Sequence, residues 1–307
     1  MTTTPTISIV LPTFNGATYV RESVESCLAQ TFEDLEIIAV IDGSTDETEQ
    51  ILRSYSDPRL RIHFQANQGL PDALNAGFSL ARGRFFSWTS DDNIYFPQAF
   101  AVMLRYLEEH PATAMACTDL FVIDGSGKTV SYSDNVWACF LYRAEAAALA
   151  GPYRSEFPLV EDIDFFLRLR HSAGAIDRIK HPYYKYRQHK SSLSSRYIGK
   201  RQLVSLKLHC DLVARGVEQL DLKDLFWDRL STAALYRDYQ TMNAIVDFAR
   251  EQGQPFKDVL QAHSCLLKTR SGWLWNRLEI AVKSQRDKLR RSYLLFRTEH
   301  VRSVEEA

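Results

Sequence analysis

The chain has 307 residues, 45% of them hydrophobic and 12% aromatic, enough to bury a core in one large domain or in two ordinary ones of about 150 residues. Lys and Arg number 37 against 38 Asp and Glu, a formal charge of -1, so no global basic field draws the chain to nucleic acid, and none is expected as a partner. Disordered, collagenous and low-complexity scaffolds are excluded.

Five cysteines lie scattered with no CxxC pair, which points to reduced thiols and a cytoplasmic setting. The first residues lack a basic segment followed by an apolar one, and no run reaches the ~18 apolar residues of a membrane span. The expectation is a chain neither exported by such a signal nor anchored by a helix.

In chain order, β-branched runs alternate with stretches of helical period. Residues 7–11, 35–41, 60–64 and 84–88 read as strands, and residues 18–30, 46–54, 72–81 and 97–109 read as helices. This βαβ series predicts an α/β, Rossmann-like domain with a mainly parallel sheet and helices on both faces. Ligands of such sheets bind at the carboxyl ends of the strands. Residues 114–124 and 137–142 read as further strands. From Arg201 the texture turns to long amphipathic helices, broken at residues 253–255 and 271–272, with a two-helix pattern from Leu230 to Gln252. The predicted boundary lies near residue 198, giving domains 1–198 and 199–307, the second α-helical.

Polar segments end three of the strands. Asp91 and Asp92 follow an apolar strand, where two close carboxylates repel unless a cation neutralises them. Hard oxygen ligands of this kind suit Mn²⁺ or Mg²⁺ with phosphate oxygens and water; turning the chain and capping the next helix is the plainer alternative. Asp42 stands before Gly43, Ser44, Thr45 and Asp46 at another strand end, where Ser44 or Thr45 would cap the helix and Asp42 could accept from a base or ribose. Neither GxGxxG nor GxxxxGK[ST] occurs, which argues against a dinucleotide-binding dehydrogenase and a P-loop NTPase.

Taken together, the segments 9–15 (IVLPTFN), 41–46 (IDGSTD), 67–70 (NQGL) with Asn75 and Ala81-Arg82-Gly83, and Ser90-Asp91-Asp92 closely resemble the family 2 nucleotide-sugar glycosyltransferases of GT-A fold. Residues 91–95 with Pro97 look most like the spore-coat polysaccharide branch of that family. Gly151-Pro152-Tyr153, Glu161-Asp162-Ile163-Asp164, Arg168, Tyr186-Arg187-Gln188-His189 and Ser192 continue the likeness, which covers roughly residues 7–195.

The resemblance implies a metal-dependent, inverting transfer of a sugar from a nucleoside diphosphate donor, UDP-linked, to an acceptor hydroxyl in polysaccharide or glycoconjugate synthesis. The acceptor would be a glycan, a lipid-linked molecule or a protein. The implied donor set is Pro12, Thr13, Phe14, Asn15, Asp42, Asn67, Gly69, Asn75, Asp91 and Arg187, with Phe14 offering a stacking face and Arg187 balancing phosphate charge. Asp92 and His189 would hold Mn²⁺ or Mg²⁺, and Asp162 would be the general base ahead of Asp164. Two departures stand out: Ile41 and Thr89 occupy positions where the family usually has an acid. A non-catalytic nucleotide-sugar-binding scaffold is the alternative; a nucleotidyltransferase lacks its Gly-rich triphosphate loop here.

Beyond Gly272, Leu274, Leu278, Ala281 and Val282 keep helical spacing beside Trp273, Trp275 and the cations Arg277, Lys283, Arg286 and Lys288. A basic amphipathic helix of this kind suits peripheral contact with an anionic inner membrane face, while packing on the catalytic domain with solvated charges is the plainer reading.

Overall fold

The computed structural model describes residues 4–134, 137–193, 198–235, 238–253, 256–257, 260 and 301–304. The basic stretch beyond Gly272 lies outside the described residues. By internal contacts, residues 1–190 with 300–307 form one unit and residues 191–299 a second.

In the first unit the strands are β1 (Ile7–Thr13), β2 (Leu35–Asp42), β3 (Leu60–Gln65), β4 (Phe85–Trp88), β5 (Ile94–Tyr95), β6 (Thr113–Ile123), β7 (Thr129–Ser133), β8 (Phe140–Arg143), β9 (Ala175–Arg187) and β10 (Val301–Val304). Its helices are α1 (Val20–Leu28), α2 (Thr48–Arg53), α3 (Leu70–Ser79), α4 (Ala99–Glu109), α5 (Ala144–Ala150) and α6 (Glu161–Ala173). The strands make one sheet in the order β10-β9-β6-β8-β4-β1-β2-β3, with β5 paired to β9 and β7 to β6. β1 to β4 are mutually parallel, and β9 runs parallel to β6. β8 is inserted antiparallel between β4 and β6. The sheet is mixed where β8 enters, while the neighbours in β10-β9-β6 and in β4-β1-β2-β3 run parallel, as expected.

β1 and β2 are buried at every residue, as strands covered on both faces must be. Alternation divides their side chains: Ile7, Ile9 and Leu11 face the core shared with α1 and α4, whereas Val10, Ile38 and Val40 face the core shared with α3 and α6. β9 escapes the sequence pattern because it carries Pro182 and charged residues, and its pairing with β6 is interrupted by register shifts between Thr118 and Phe121. The predicted strand 137–142 begins only at Phe140, and β10 departs from the helical expectation for the C-terminal region.

Because β9 runs parallel to β1 and starts just after α6, the first turn of α6 lies toward the carboxyl edge of the sheet. Packing fixes it there: Phe166 meets Phe140 at 4.8 Å between ring centroids and Phe165 stacks on Tyr153 at 4.3 Å.

The second unit contains α7 (Ile198–Ala214), α8 (Leu222–Leu235) and α9 (Tyr239–Gln252) among its described residues. They enclose a core of Leu206, Phe226, Leu230, Ala233, Ile245, Val246, Ala249 and Phe256. Asp238 caps α9 by accepting the Thr241 amide at 3.0 Å. A buried pair, His209 Nδ1 to Glu218 at 2.6 Å, ties α7 to the chain that follows it.

Candidate functional site

Three segments meet at the carboxyl edge: residues 13–17 after β1, 42–48 after β2 and 89–93 after β4. Asn15 takes a left-handed backbone (φ 55) that asparagine tolerates. Its Oδ1 accepts the Thr45 amide at 2.8 Å, and its own amide donates to Ser44 Oγ at 3.0 Å. The Gly16 and Ala17 amides donate to Thr48 Oγ1 at 2.9 Å and Asp46 Oδ2 at 3.0 Å. Ser44 and Thr45 thus brace the first loop instead of capping α2; Asp46 Oδ1 takes the Thr48 amide at 3.1 Å in their place. With the amides of residues 15–17 engaged by side chains, this loop offers no anion nest of the phosphate-cradling kind.

Thr13 Oγ1 donates to Asp91 Oδ2 at 2.5 Å. A Cβ on Gly16 would stand 2.1 Å from that same Asp91 oxygen, so only glycine permits the approach. Burial, with the Asp92 charge adding to it, pushes Asp91 up to about 7 despite the Thr13 hydrogen bond. Burial also raises Asp92, against the hydrogen bond from His189, whose Nε2 lies 2.9 Å from Asp92 Oδ2. Both acids are held where ionisation is disfavoured, and a cation would reverse that. Among the described residues no three His, Cys, Asp or Glu side chains form a ready-made metal cage. Asp92 and His189 bring one oxygen and one nitrogen donor to this place, and an ion held by so few protein ligands would fill its shell with phosphate oxygens and water.

Arg187 is 2% exposed and is built into the protein. Its amide donates to Asn93 Oδ1 at 2.7 Å, Nε to the Asp92 carbonyl at 2.9 Å, Nη1 to the Gly125 carbonyl at 3.2 Å and Nη2 to Glu22 at 2.7 Å. The guanidinium also lies 4.5 Å from the Tyr19 ring centre, while that ring packs 5.0 Å from His189. Arg187 therefore locks the acidic loop to β9, and Tyr19 holds Arg187 and His189 together. Tyr19 and Glu22 carry no motif of their own, whereas Asn93 falls within the 91–95 segment that the family likeness already marks.

Asp42 is 4% exposed. Its Oδ1 accepts Gln65 Nε2 at 2.8 Å and the Gln68 amide at 2.9 Å, and its Oδ2 the Gly69 amide at 2.9 Å. A carboxylate has about four acceptor sites, so most of its capacity anchors the turn that opens α3. Gly43 (φ +73) permits this turn, since the Asn67 amide nitrogen comes within 2.7 Å of where a Cβ would sit. Phe14 presents its ring to solvent at 52% exposure beside these loops, whereas Pro12 is buried in β1. Asn75 sits on α3 and pairs with the main chain of Tyr153.

On α6 the two neighbouring acids differ. Asp164 is fully buried between Arg154 and Arg168, whose Nε atoms lie 3.0 Å and 3.1 Å from its Oδ2. Both of its oxygens are thereby engaged by the two guanidiniums. Asp162 is only partly buried and accepts the Ile163 amide at 2.8 Å.

Residues 8–155 match the family model described as Glycosyl transferase family 2. An uncharacterised glycosyltransferase of Rickettsia prowazekii is 43% identical over 105 residues, 34% of this chain and 33% of that protein. The putative glycosyltransferase EpsH of Bacillus subtilis is 33% identical over 221 residues, 63% of this chain and 64% of EpsH. The chain spans about a third or less of the first relatives it matches. Among solved structures, S. aureus TarS in complex with UDP-GlcNAc superposes with a TM-score of 0.65 at 18% identity, covering 94% of this chain and 92% of that one. Mannosyltransferase PcManGT from Pyrobaculum calidifontis, in complex with GDP-Man and Mn²⁺, gives 0.56 at 15% identity, covering 94% and 87%. These superpositions establish the GT-A-like fold, and residues 8–155 carry the match to glycosyltransferase family 2.

Proposed function

We infer that the first unit transfers a sugar, with inversion, from a nucleoside diphosphate donor, UDP-linked, to an acceptor hydroxyl of a glycan, lipid-linked molecule or protein. One observation carries the reading. A buried acidic pair with His189 beside it stands at the carboxyl edge of the sheet, and the first turn of α6, which carries the partly buried Asp162, lies toward the same edge. Phe14 supplies a face for the base, and the Asp91 region meets the ribose and diphosphate.

Because the amides of residues 15–17 are engaged, the diphosphate depends on the acidic pair and His189 with Mn²⁺ or Mg²⁺. When bound, the ion offsets phosphate charge on the leaving group. Asp162 accepts the acceptor's hydroxyl proton as the oxygen attacks the anomeric carbon and the bond to the diphosphate breaks. Tyr19 and Arg187 keep His189 and the Asp92 loop in place throughout. Among the described residues no helix is long and apolar enough to cross a membrane; a cytoplasmic place, with the basic C-terminal stretch touching an anionic membrane face, completes the reading.

The test is release of UDP from UDP-GlcNAc and of GDP from GDP-Man with Mn²⁺, with and without candidate acceptors. Metal-dependent nucleotide release supports transfer. Tight donor binding with no release under any acceptor would make the protein a binding scaffold instead.

A further inference from the structure

Residues 151–160 join α5 to α6 and form a strap whose attachments run in two directions. Toward α3, Asn75 Nδ2 donates to the Tyr153 carbonyl at 2.8 Å while the Tyr153 amide donates to Asn75 Oδ1 at 2.9 Å. One carboxamide thus satisfies both polar groups of a single peptide residue, a reciprocal match that fixes orientation as well as distance. Two residues on, Ser155 Oγ reaches both oxygens of Asp72 on α3, at 2.9 Å and 3.0 Å.

Toward α6, Arg154 holds the buried Asp164, and Arg168 returns Nη2 to the Pro152 carbonyl at 2.8 Å. The Tyr153 ring is buried and stacked on Phe165. The strap then turns through Leu159 at φ 75, a left-handed conformation unusual for leucine. Such a conformation persists only where the surroundings over-determine it. It delivers the chain directly into the first turn of α6, which carries Asp162.

α3 is itself anchored from the donor side, because Asp42 accepts the Gly69 amide at its start. The strap is therefore the mechanical link between the loops assigned to the donor and the carboxylate assigned as base. We propose that Asn75 is a positioning residue for Asp162, acting through the Tyr153 main chain, and that it does not contact the donor. This rests on the glycosyl-transfer reading above and departs from the donor-binding role that the family likeness gives Asn75.

The experiment uses the full chain, with Mn²⁺ and UDP-GlcNAc, and reads donor hydrolysis at saturation together with the UDP dissociation constant from calorimetry. A displacement near 1 Å at the base lowers turnover about 10²-fold, so Asn75→Ala should lose about that factor in kcat while the UDP dissociation constant stays within about twofold. In an Asp162→Asn background the same substitution should have under about a twofold further effect, since a residue acting only through the base cannot matter once the base is gone. A UDP affinity weakened about tenfold with kcat intact would make Asn75 a donor ligand and overturn the proposal. A full multiplicative loss in the Asp162→Asn background would overturn it in favour of general structural damage. If Asn75→Ala fails to fold, Ser155→Ala breaks the exposed arm of the same clip and is judged by the same two ratios. Wild-type turnover that Asp162→Asn leaves untouched would bring down the underlying reading, an outcome distinct from either failure of the Asn75 role.

Discussion

The two edges of one sheet treat buried acids in opposite ways. At the amino edge, Glu36 is 2% exposed and accepts Ser8 Oγ at 2.8 Å, Arg61 Nη1 at 2.7 Å, and the Arg82 amide and Nη2 at 2.8 Å and 2.7 Å. Burial pushes its pKa up, but the hydrogen bonds from Arg82, Ser8 and Arg61 outweigh it and hold Glu36 below its ordinary value. At the carboxyl edge, burial raises Asp91 and Asp92, which are opposed chiefly by one threonine hydroxyl and one imidazole. An acid saturated with donors stabilises the fold. An acid given few donors holds an electrostatic deficit that only a ligand removes.

The sharpest way to separate a working acid from a structural one is Asp162→Asn beside Asp164→Asn. The first should lower acceptor-dependent turnover by about 10²- to 10⁴-fold, the usual contribution of a general base, with donor binding nearly intact. The second should act on stability, because it breaks an ion pair buried between Arg154 and Arg168. Near-normal turnover in Asp162→Asn, measured with binding checked by calorimetry, would erase the distinction.

Next in size is Asp92→Ala, which removes one of the two repelling acids. Metal-dependent UDP affinity should fall by about 10²-fold while the melting temperature holds or rises. Calorimetry with and without Mn²⁺ and a thermal scan of the apo protein read both; a fall in stability would place Asp92 with the structural acids.

Glu36→Gln should instead destabilise by about 2 kcal/mol near neutral pH with no change in UDP affinity, since it weakens charge-assisted hydrogen bonds. The folded-state pKa lies below the ordinary 4.5, so the unfolded chain binds this proton more readily. The contribution of Glu36 is complete above that value and is lost as pH falls through the depressed one. Urea unfolding at several pH values should show wild type and variant converging in acid, and a gap that persists there would contradict the assignment.

Much of this was legible in the sequence where contacts are local. The apolar runs of β1, β2 and β4 and the polar segments ending them are enough to place Thr13, Asp42 and Asp91 on one edge. Helix starts were harder, because the capping logic for Ser44 and Thr45 competes with a bond to Asn15 about thirty residues away. β9 was hidden by its own charges and Pro182. The engagement of Asn75 with Tyr153 and of Arg187 with Glu22 spans 78 and 165 residues, and no periodicity or spacing rule reaches so far. Motif likeness could name such residues as belonging to the site while leaving open whether they touch a ligand or hold something that does.

The reach of Arg187 also bears on how the molecule comes to be made. Its side chain joins Glu22, the carbonyl of Asp92 and the turn at Gly125, so the acidic loop is complete only after β9 has docked beside β6. Closing loops of this length is slow compared with forming the β1-α1-β2 unit. Nucleotide affinity should therefore appear last during refolding, after most of the sheet's ellipticity has returned. On a ribosome, a nascent chain ending near residue 155 would have every residue of the family match and still lack the strand that holds the acidic loop in place.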